Sequence, residues 1–291
     1  MNDGTRPMTQ PGQGAGTYGL LTKEEVEVKS GAVLERYDIG DLLGMGKQKS
    51  VYRAYDKILG TDVALSFSRY DESAHWSSLT IVDMSRLLES NNMPGETFSY
   101  IISWALVDSI PKIIANNIGR INQEEYYGDE YYGDEYEEEE LQQEYYEEGE
   151  RSSNVFFVFS TEIYETSPNI SGEEMDLLYW ELCYNYARCQ QEFGWVHGDI
   201  NRGNIMYRNC GYARQYNICG RLVVIPVMYS LIFIDYSEYP TDDVSYQEED
   251  AEDLLSLVGR KIKSILRSGD TSTWTSRLCR SHVPEALCKT I

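Results

Sequence analysis

WVHGDINRGNIMY, residues 195–207, sets a carboxylate, Asp199, and an amide, Asn204, five positions apart in one short polar stretch. The residues before it recur at helical spacing. Met175, Leu178, Tyr179, Leu182, Tyr186, Cys189 and Phe193 fall on one face, which predicts a helix over 172–193 stopped by Gly194. The residues after it, NIMY (204–207), read as a short strand. A loop pinned between a helix and a strand can aim two polar side chains at one small target. Residues on distant elements do this less well.

Downstream, SLIFID (230–235) is an apolar run ending in Asp235, and it pairs naturally with NIMY. The residues between them form an insertion with an apolar strand of its own, LVVIPV (222–227). A last helix is expected over about 248–267, with Ala251, Leu254, Leu255, Val258, Ile262, Ile265 and Leu266 on one side. Two carboxylates, Asp250 and Asp253, lie near its start.

Upstream, order is expected from about Leu34, where ERYDIGDLLG leads into a glycine-containing turn. SVYRAYD (50–56) and, more weakly, DVALSFS (62–68) alternate apolar and polar residues, with ILG (58–60) as the hairpin between two strands. A helix over 72–90 ends at Asn91, Asn92 and Pro94-Gly95. The stretch 96–122 stays unassigned, since IPKIIANNIG fits a strand, a helix end or a loop. NVFFVFSTEI (154–163) has the pattern of a buried strand.

The composition is that of a folded chain with two exceptional segments. Of 291 residues, 42% are hydrophobic, enough for a substantial core. The net charge of −23 argues against tight non-specific binding to nucleic acid or an anionic membrane. Fourteen Asp and Glu and no Lys or Arg lie in 123–150, a tract that repeats YYGDE, so the remainder carries only −9. Packed like charges and scarce apolar surface predict a disordered insertion there, with basic protein partners as its natural counterparts. Residues 1–33 are expected to be a disordered tail, most plainly in the Gly-, Pro-, Thr- and Gln-rich 1–18. The six cysteines form no CxxC pair and there are three histidines, so no zinc site is read and reduced thiols are expected. No segment has the ~18 apolar residues of a spanning helix. The expected setting is intracellular, cytoplasm or nucleus.

Taken in order, these motifs resemble the protein kinases over about residues 37–267. The resemblance implies an α+β, two-lobed kinase-like fold. A small β-rich N-lobe would span 34–165, and a truncated helical C-lobe 166–291. It implies ATP and Mg2+ as cofactors, with transfer of the γ-phosphate to a Ser or Thr hydroxyl of a protein substrate. Asp199 corresponds to the catalytic carboxylate, and Asn204 and Asp235 to the metal ligands. Gly44 and Gly46 match the first two glycines of the phosphate-covering loop, and Val51 and Ala64 match residues packed over adenine. The hinge that meets adenine through its backbone falls near Thr161, Glu162 and Ile163. His197 is implied to be a packing residue.

The departures from the family pattern carry as much information. The strand motif that bears the phosphate-binding lysine reads Val63-Ala64-Leu65-Ser66, while Lys49 stands at the third loop-glycine position. This exchange resembles the with-no-lysine kinases and makes Lys49 the candidate phosphate clamp. Gly198 stands in place of the usual arginine, as in HGD-type kinases, some of them viral. Asn201 replaces a lysine, with Arg202 beside it as a partial substitute, and Ser237 replaces a glycine after Asp235. The resemblance implies that the helix acid that usually pairs with the lysine is Asp83 or Glu89, and that the family's buried anchoring Asp is Asp250 or Asp253. About a dozen residues separate Asp235 from the last helix, too few for a full peptide-docking segment. Three readings stay open: an active protein kinase, a pseudokinase scaffold, and a small-molecule phosphotransferase.

Overall fold

A computed structural model describes residues 27–46, 49–70, 75–91, 93, 95–124, 155–218, 221–236, 243–266, 271–280 and 288–289. The fold is α+β. Strands β1 (Val28–Lys29), β2 (Tyr37–Met45), β3 (Lys49–Asp56), β4 (Thr61–Arg69), β5 (Ser103–Val107) and β6 (Phe156–Thr161) form one sheet in the order β1-β5-β6-β4-β3-β2. All its pairs are antiparallel except β1 with β5.

The two faces of this sheet are chemically different. On β3, Ser50, Tyr52, Ala54 and Asp56 are buried, while Lys49, Val51 and Arg53 point the other way. Strand β4 is central and buried from Val63 to Phe67, which explains why its alternation is weak in the sequence. Behind the sheet, Tyr52, Val63, Leu65, Phe67 and Val158 pack against Leu34 of a 3-10 helix (Gly31–Arg36) and against Ile114 and Ile118 of α2 (Lys112–Glu124). In front, Leu106, Phe157 and Phe159 pack with Ile81, Val82, Met84 and Leu88 of α1 (His75–Ser90).

Some boundaries differ from expectation. Residues 28–36, placed partly in the tail, form β1 and the 3-10 helix. Their backbone is held by β5, and Gly31 N donates to Asp108 Oδ1 at 2.8 Å. The unassigned stretch becomes β5 and α2. The rest of the expected tail, and the acidic tract beyond Glu124, lie outside the described residues.

Helix α3 (Gly172–Phe193) begins with a capping box, in which Ser171 and Glu174 satisfy each other's backbone N–H groups, and stops at Gly194. It is buried on more than the one predicted face, because strands and helices contact it from several sides. These are β9 (Arg221–Ile225), β10 (Tyr229–Phe233), α5 (Arg260–Leu266) and α6 (Trp274–Arg280). Strand β7 (Ile205–Asn209) pairs with β10 as expected. The insertion between them is a hairpin, β8 (Arg214–Ile218) with β9, extended by β11 (Cys288–Lys289).

Arg214 ties this hairpin to α3. Its Nε meets Glu181 Oε1 at 2.6 Å and its Nη2 meets Oε2 at 2.7 Å, with both side chains almost wholly buried (3% and 1% exposed). Two of its three remaining N–H groups donate to Val227 O and Tyr229 O, so four of the five donors of the buried guanidinium have an acceptor. The last predicted helix is two: α4 (Val244–Leu257) ends where Val258 turns extended, and α5 starts at Arg260. Gly259 between them lies against α3, where a Cβ would come 3.1 Å from Asp176 Oδ1.

Candidate functional site

The loop after α3 is held from beneath. His197 N and Gly198 N donate to Asp250 Oδ2 and Oδ1 at 2.7 and 2.9 Å, and Tyr186 OH donates to Asp250 Oδ2 at 2.9 Å. Asp250 on α4 is therefore the anchor, and Asp253, exposed three residues on, is not. Gly198 has φ 82°, a left-handed conformation that a side chain would strain, and this turn carries the chain from buried His197 to exposed Asp199.

His197 is wholly buried beneath the loop. Its Nε2 lies 2.8 Å from Ile234 O, and its Nδ1 lies 3.3 Å from Asp199 N. A carbonyl only accepts and a backbone N–H only donates, so this pair of contacts selects the neutral ring protonated on Nε2. Burial pushes its pKa below the ordinary value, against the opposing pull of Asp250, the Ile234 carbonyl, Asp235 and Asp199. The aromatic rings of Trp195, Phe233 and Tyr236 surround it.

Asp199 and Asn204 meet as predicted: Asn204 Nδ2 is 2.8 Å from Asp199 Oδ2 and 2.9 Å from its backbone oxygen. The Asn204 amide nitrogen is thus engaged, and its side-chain oxygen is the atom suited to a cation. Ile234 N donates to Asn204 O at 3.0 Å, which links this loop to the residue before Asp235. Asp235 has φ 65°, and among the described residues it is the one non-glycine in that region.

The sheet supplies the opposite wall. In the register of β3 and β4, Val51 stands opposite Ser66 and Lys49 opposite Ser68, so Lys49 and Ser66 are diagonal neighbours on the same face. Lys49 Nζ reaches Asp235 Oδ2 at 2.5 Å. A cleft of about 520 Å³ opens between the walls. Of the predicted residues, Gly44, Lys49, Val51, Ala64, Glu162, Ile163 and Asp235 line it. Gly46, Asp199 and Asn204 are not in that lining. Gly46 closes the β2–β3 turn through its N–H to Lys49 O, and ideal Cβ atoms at Gly44 and Gly46 would meet nothing within 4 Å. Of the two helix acids, Asp83 is buried and Glu89 is exposed, which leaves Asp83 on the inward face of α1.

Several cleft residues were not read from the sequence. Met206 lines the cleft together with Val51 and Ala64; its alternation with buried Ile205 in β7 was the available signal. Ser99, which accepts from Tyr164 OH at 3.0 Å, sits in the stretch left unassigned. The segment after β6 is braced by Arg208, whose Nη2 pairs with Glu162 at 2.7 Å, and by a reciprocal pair of backbone bonds between Glu165 and Tyr207. Among the described residues no three His, Cys, Asp or Glu side chains cluster as a metal site. No family model matches the chain, and no curated protein matches it significantly.

Proposed function

We propose that the chain is an ATP-dependent phosphotransferase with a kinase-like arrangement of two lobes: the six-stranded sheet with α1 above, and the helices around α3 below. One observation carries this reading. Lys49, from the sheet, and Asp235, from the far side of the cleft, converge at 2.5 Å on the rim of a cavity large enough for a nucleotide. A cation and a carboxylate placed this way suit phosphate oxygens and the ion that accompanies them.

The donor set fits magnesium, since Asp235 and the side-chain oxygen of Asn204 are hard oxygen ligands and phosphate oxygens would complete the shell. When bound, the ion neutralises phosphate charge. Lys49 holds phosphate oxygens, Gly44 on the cleft wall leaves room beside them without a Cβ, and Val51, Ala64 and Met206 enclose a flat base. Asp199 orients the acceptor hydroxyl and receives its proton. The acceptor O–H bond breaks as its oxygen bonds the γ-phosphorus, the bond from that phosphorus to the bridging oxygen breaks, ADP leaves, and the proton passes from Asp199 to solvent.

The first acceptor in view is a Ser or Thr hydroxyl of a protein. A small hydroxyl compound is the second, favoured by the short link from Tyr236 to the α4 cap Asp243, which leaves little chain for a peptide platform. Purified protein with labelled ATP, magnesium and either a generic protein or a panel of small alcohols separates these. Asp199→Asn is expected to keep nucleotide binding and lose turnover, and Asp235→Asn to weaken magnesium-dependent binding. Nucleotide binding without transfer to any acceptor would favour the scaffold reading. Unimpaired turnover in both variants would place the chemistry elsewhere.

A further inference from the structure

Asn201 occupies the position where the family resemblance leads one to expect a lysine, and the structure gives it a different job. Its Nδ2 lies 2.9 Å from Asp199 Oδ1 and 3.3 Å from the Asp199 backbone oxygen. Its own side-chain oxygen accepts from Gly203 N at 2.8 Å, which makes it the N-cap of the 3-10 turn Arg202–Asn204. Both ends of the amide are therefore engaged, and its orientation is fixed by the backbone. Asn204 approaches the other carboxylate oxygen, Oδ2, at 2.8 Å.

We infer that Asn201 and Asn204 form a two-sided amide clamp that holds the Asp199 carboxylate in one orientation, with Asn201 as a positioning residue. The inference rests on the proposed phosphotransfer reading only for its kinetic consequence. An exposed aspartate would otherwise sample several rotamers, and a misplaced carboxylate loses the alignment that transfer requires. A lysine at this position would offer charge to the phosphate. An asparagine offers a neutral donor to the carboxylate and a cap to the turn. The clamp therefore puts the phosphate-facing charge on Lys49 and leaves this loop to aim the acceptor.

The test uses the full chain and separates cap from donor. Asn201→Ser keeps a capping oxygen for Gly203 N–H and removes the amide that reaches Asp199. The expected result is a tenfold to hundredfold fall in kcat, on the order seen for small misplacements of reacting groups. The KM for ATP and the melting temperature should stay close to wild type. Three-bond NMR couplings to the Asp199 carboxyl carbon should report one χ1 rotamer in wild type and averaging in Asn201→Ser. An unchanged rotamer in the variant overturns the inference, as does a loss of kcat that only follows a loss of melting temperature. No turnover in wild type, with a rotamer that loosens in Asn201→Ser, upholds the clamp and refutes the phosphotransferase reading instead.

Discussion

Replacing Asp250 by asparagine should loosen the loop that carries Asp199 from below, without changing any residue of the loop itself. The carboxylate accepts from two backbone N–H groups, one on each oxygen, and from Tyr186 OH. Asparagine has one acceptor oxygen, so its NH2 must face one of the two N–H groups. One charge-assisted bond becomes a neutral one, at a cost of about 1 kcal/mol. The other is lost, and a buried donor is left without an acceptor, at about 1–3 kcal/mol. The expected loss is about 3 kcal/mol. At about 2–4 °C per kcal/mol for a domain of this size, melting should fall by about 6–12 °C. Thermal unfolding by circular dichroism reads this directly. Asp253→Asn is the control on the same helix. Asp253 is exposed, and desolvation with the like charges of Asp250, Glu249 and Asp199 raises its pKa, so its neutralisation should leave melting unchanged or slightly higher. Where activity is measurable, Asp250→Asn should lower kcat far more than nucleotide affinity. If Asp250→Asn melts within about 1 °C of wild type, or if the two variants behave alike, the anchoring argument fails.

Lys49→Met should lower turnover about a hundredfold, on the order of 3 kcal/mol for a removed charged donor, while Ser66→Ala should do little. Full turnover in Lys49→Met at saturating ATP would end the relocated-lysine reading. Because His197 is neutral in the fold with a depressed pKa, the unfolded chain binds its proton more readily. Its contribution to stability is present above about pH 6.5 and lost as the pH falls below that value. Urea midpoints across pH should fall less steeply on the acid side in His197→Asn than in wild type, and equal slopes would contradict the assignment. Arg214→Met leaves Glu181 buried without its partner and should cost about 3–5 kcal/mol. Adding Glu181→Leu should recover part of that loss, and a double variant no better than the single would count against a charge penalty.

The reach of the sequence can be traced element by element. Helix α3 came with correct ends because a capping Ser171, a Glu174 and a terminal Gly194 mark it chemically. The hairpin of β3 and β4 and the pair β7–β10 were visible from local alternation and apolar runs. Strand β5 and helix α2 were not. Strand β5 does not alternate, being half-buried over Ser103–Ala105 and buried at Leu106 and Val107, and α2 covers the back of a sheet that local pattern cannot reveal. The break after Leu257 was missed because helical periodicity continues across it while the backbone turns extended at Val258. In the candidate site, the meeting of Asp199 and Asn204 was readable from their spacing on one loop, and Asp235 was singled out by the apolar run it ends together with the family resemblance. The choice of Asp250 over Asp253 depended on which face of α4 turns inward, and the partner of Lys49 on how two distant strands meet. The second amide on Asp199 was hidden because the sequence shows Asn201 only as a missing charge.

The left-handed backbone at Asp235 bears on the history of the chain. A glycine would sit there without strain, whereas aspartate carries a conformational penalty on the order of 1 kcal/mol. Aspartate and glycine codons differ by one nucleotide, so drift has a short path to relief. If the position had only to fold, that path would be downhill. Under the proposed phosphotransfer reading, the work of the carboxylate would outweigh this strain. Asp235→Gly relieves the strain but also removes the contact with Lys49 and adds chain entropy to the unfolded state, so melting should stay near wild type while, under the proposed reading, magnesium-dependent nucleotide binding falls.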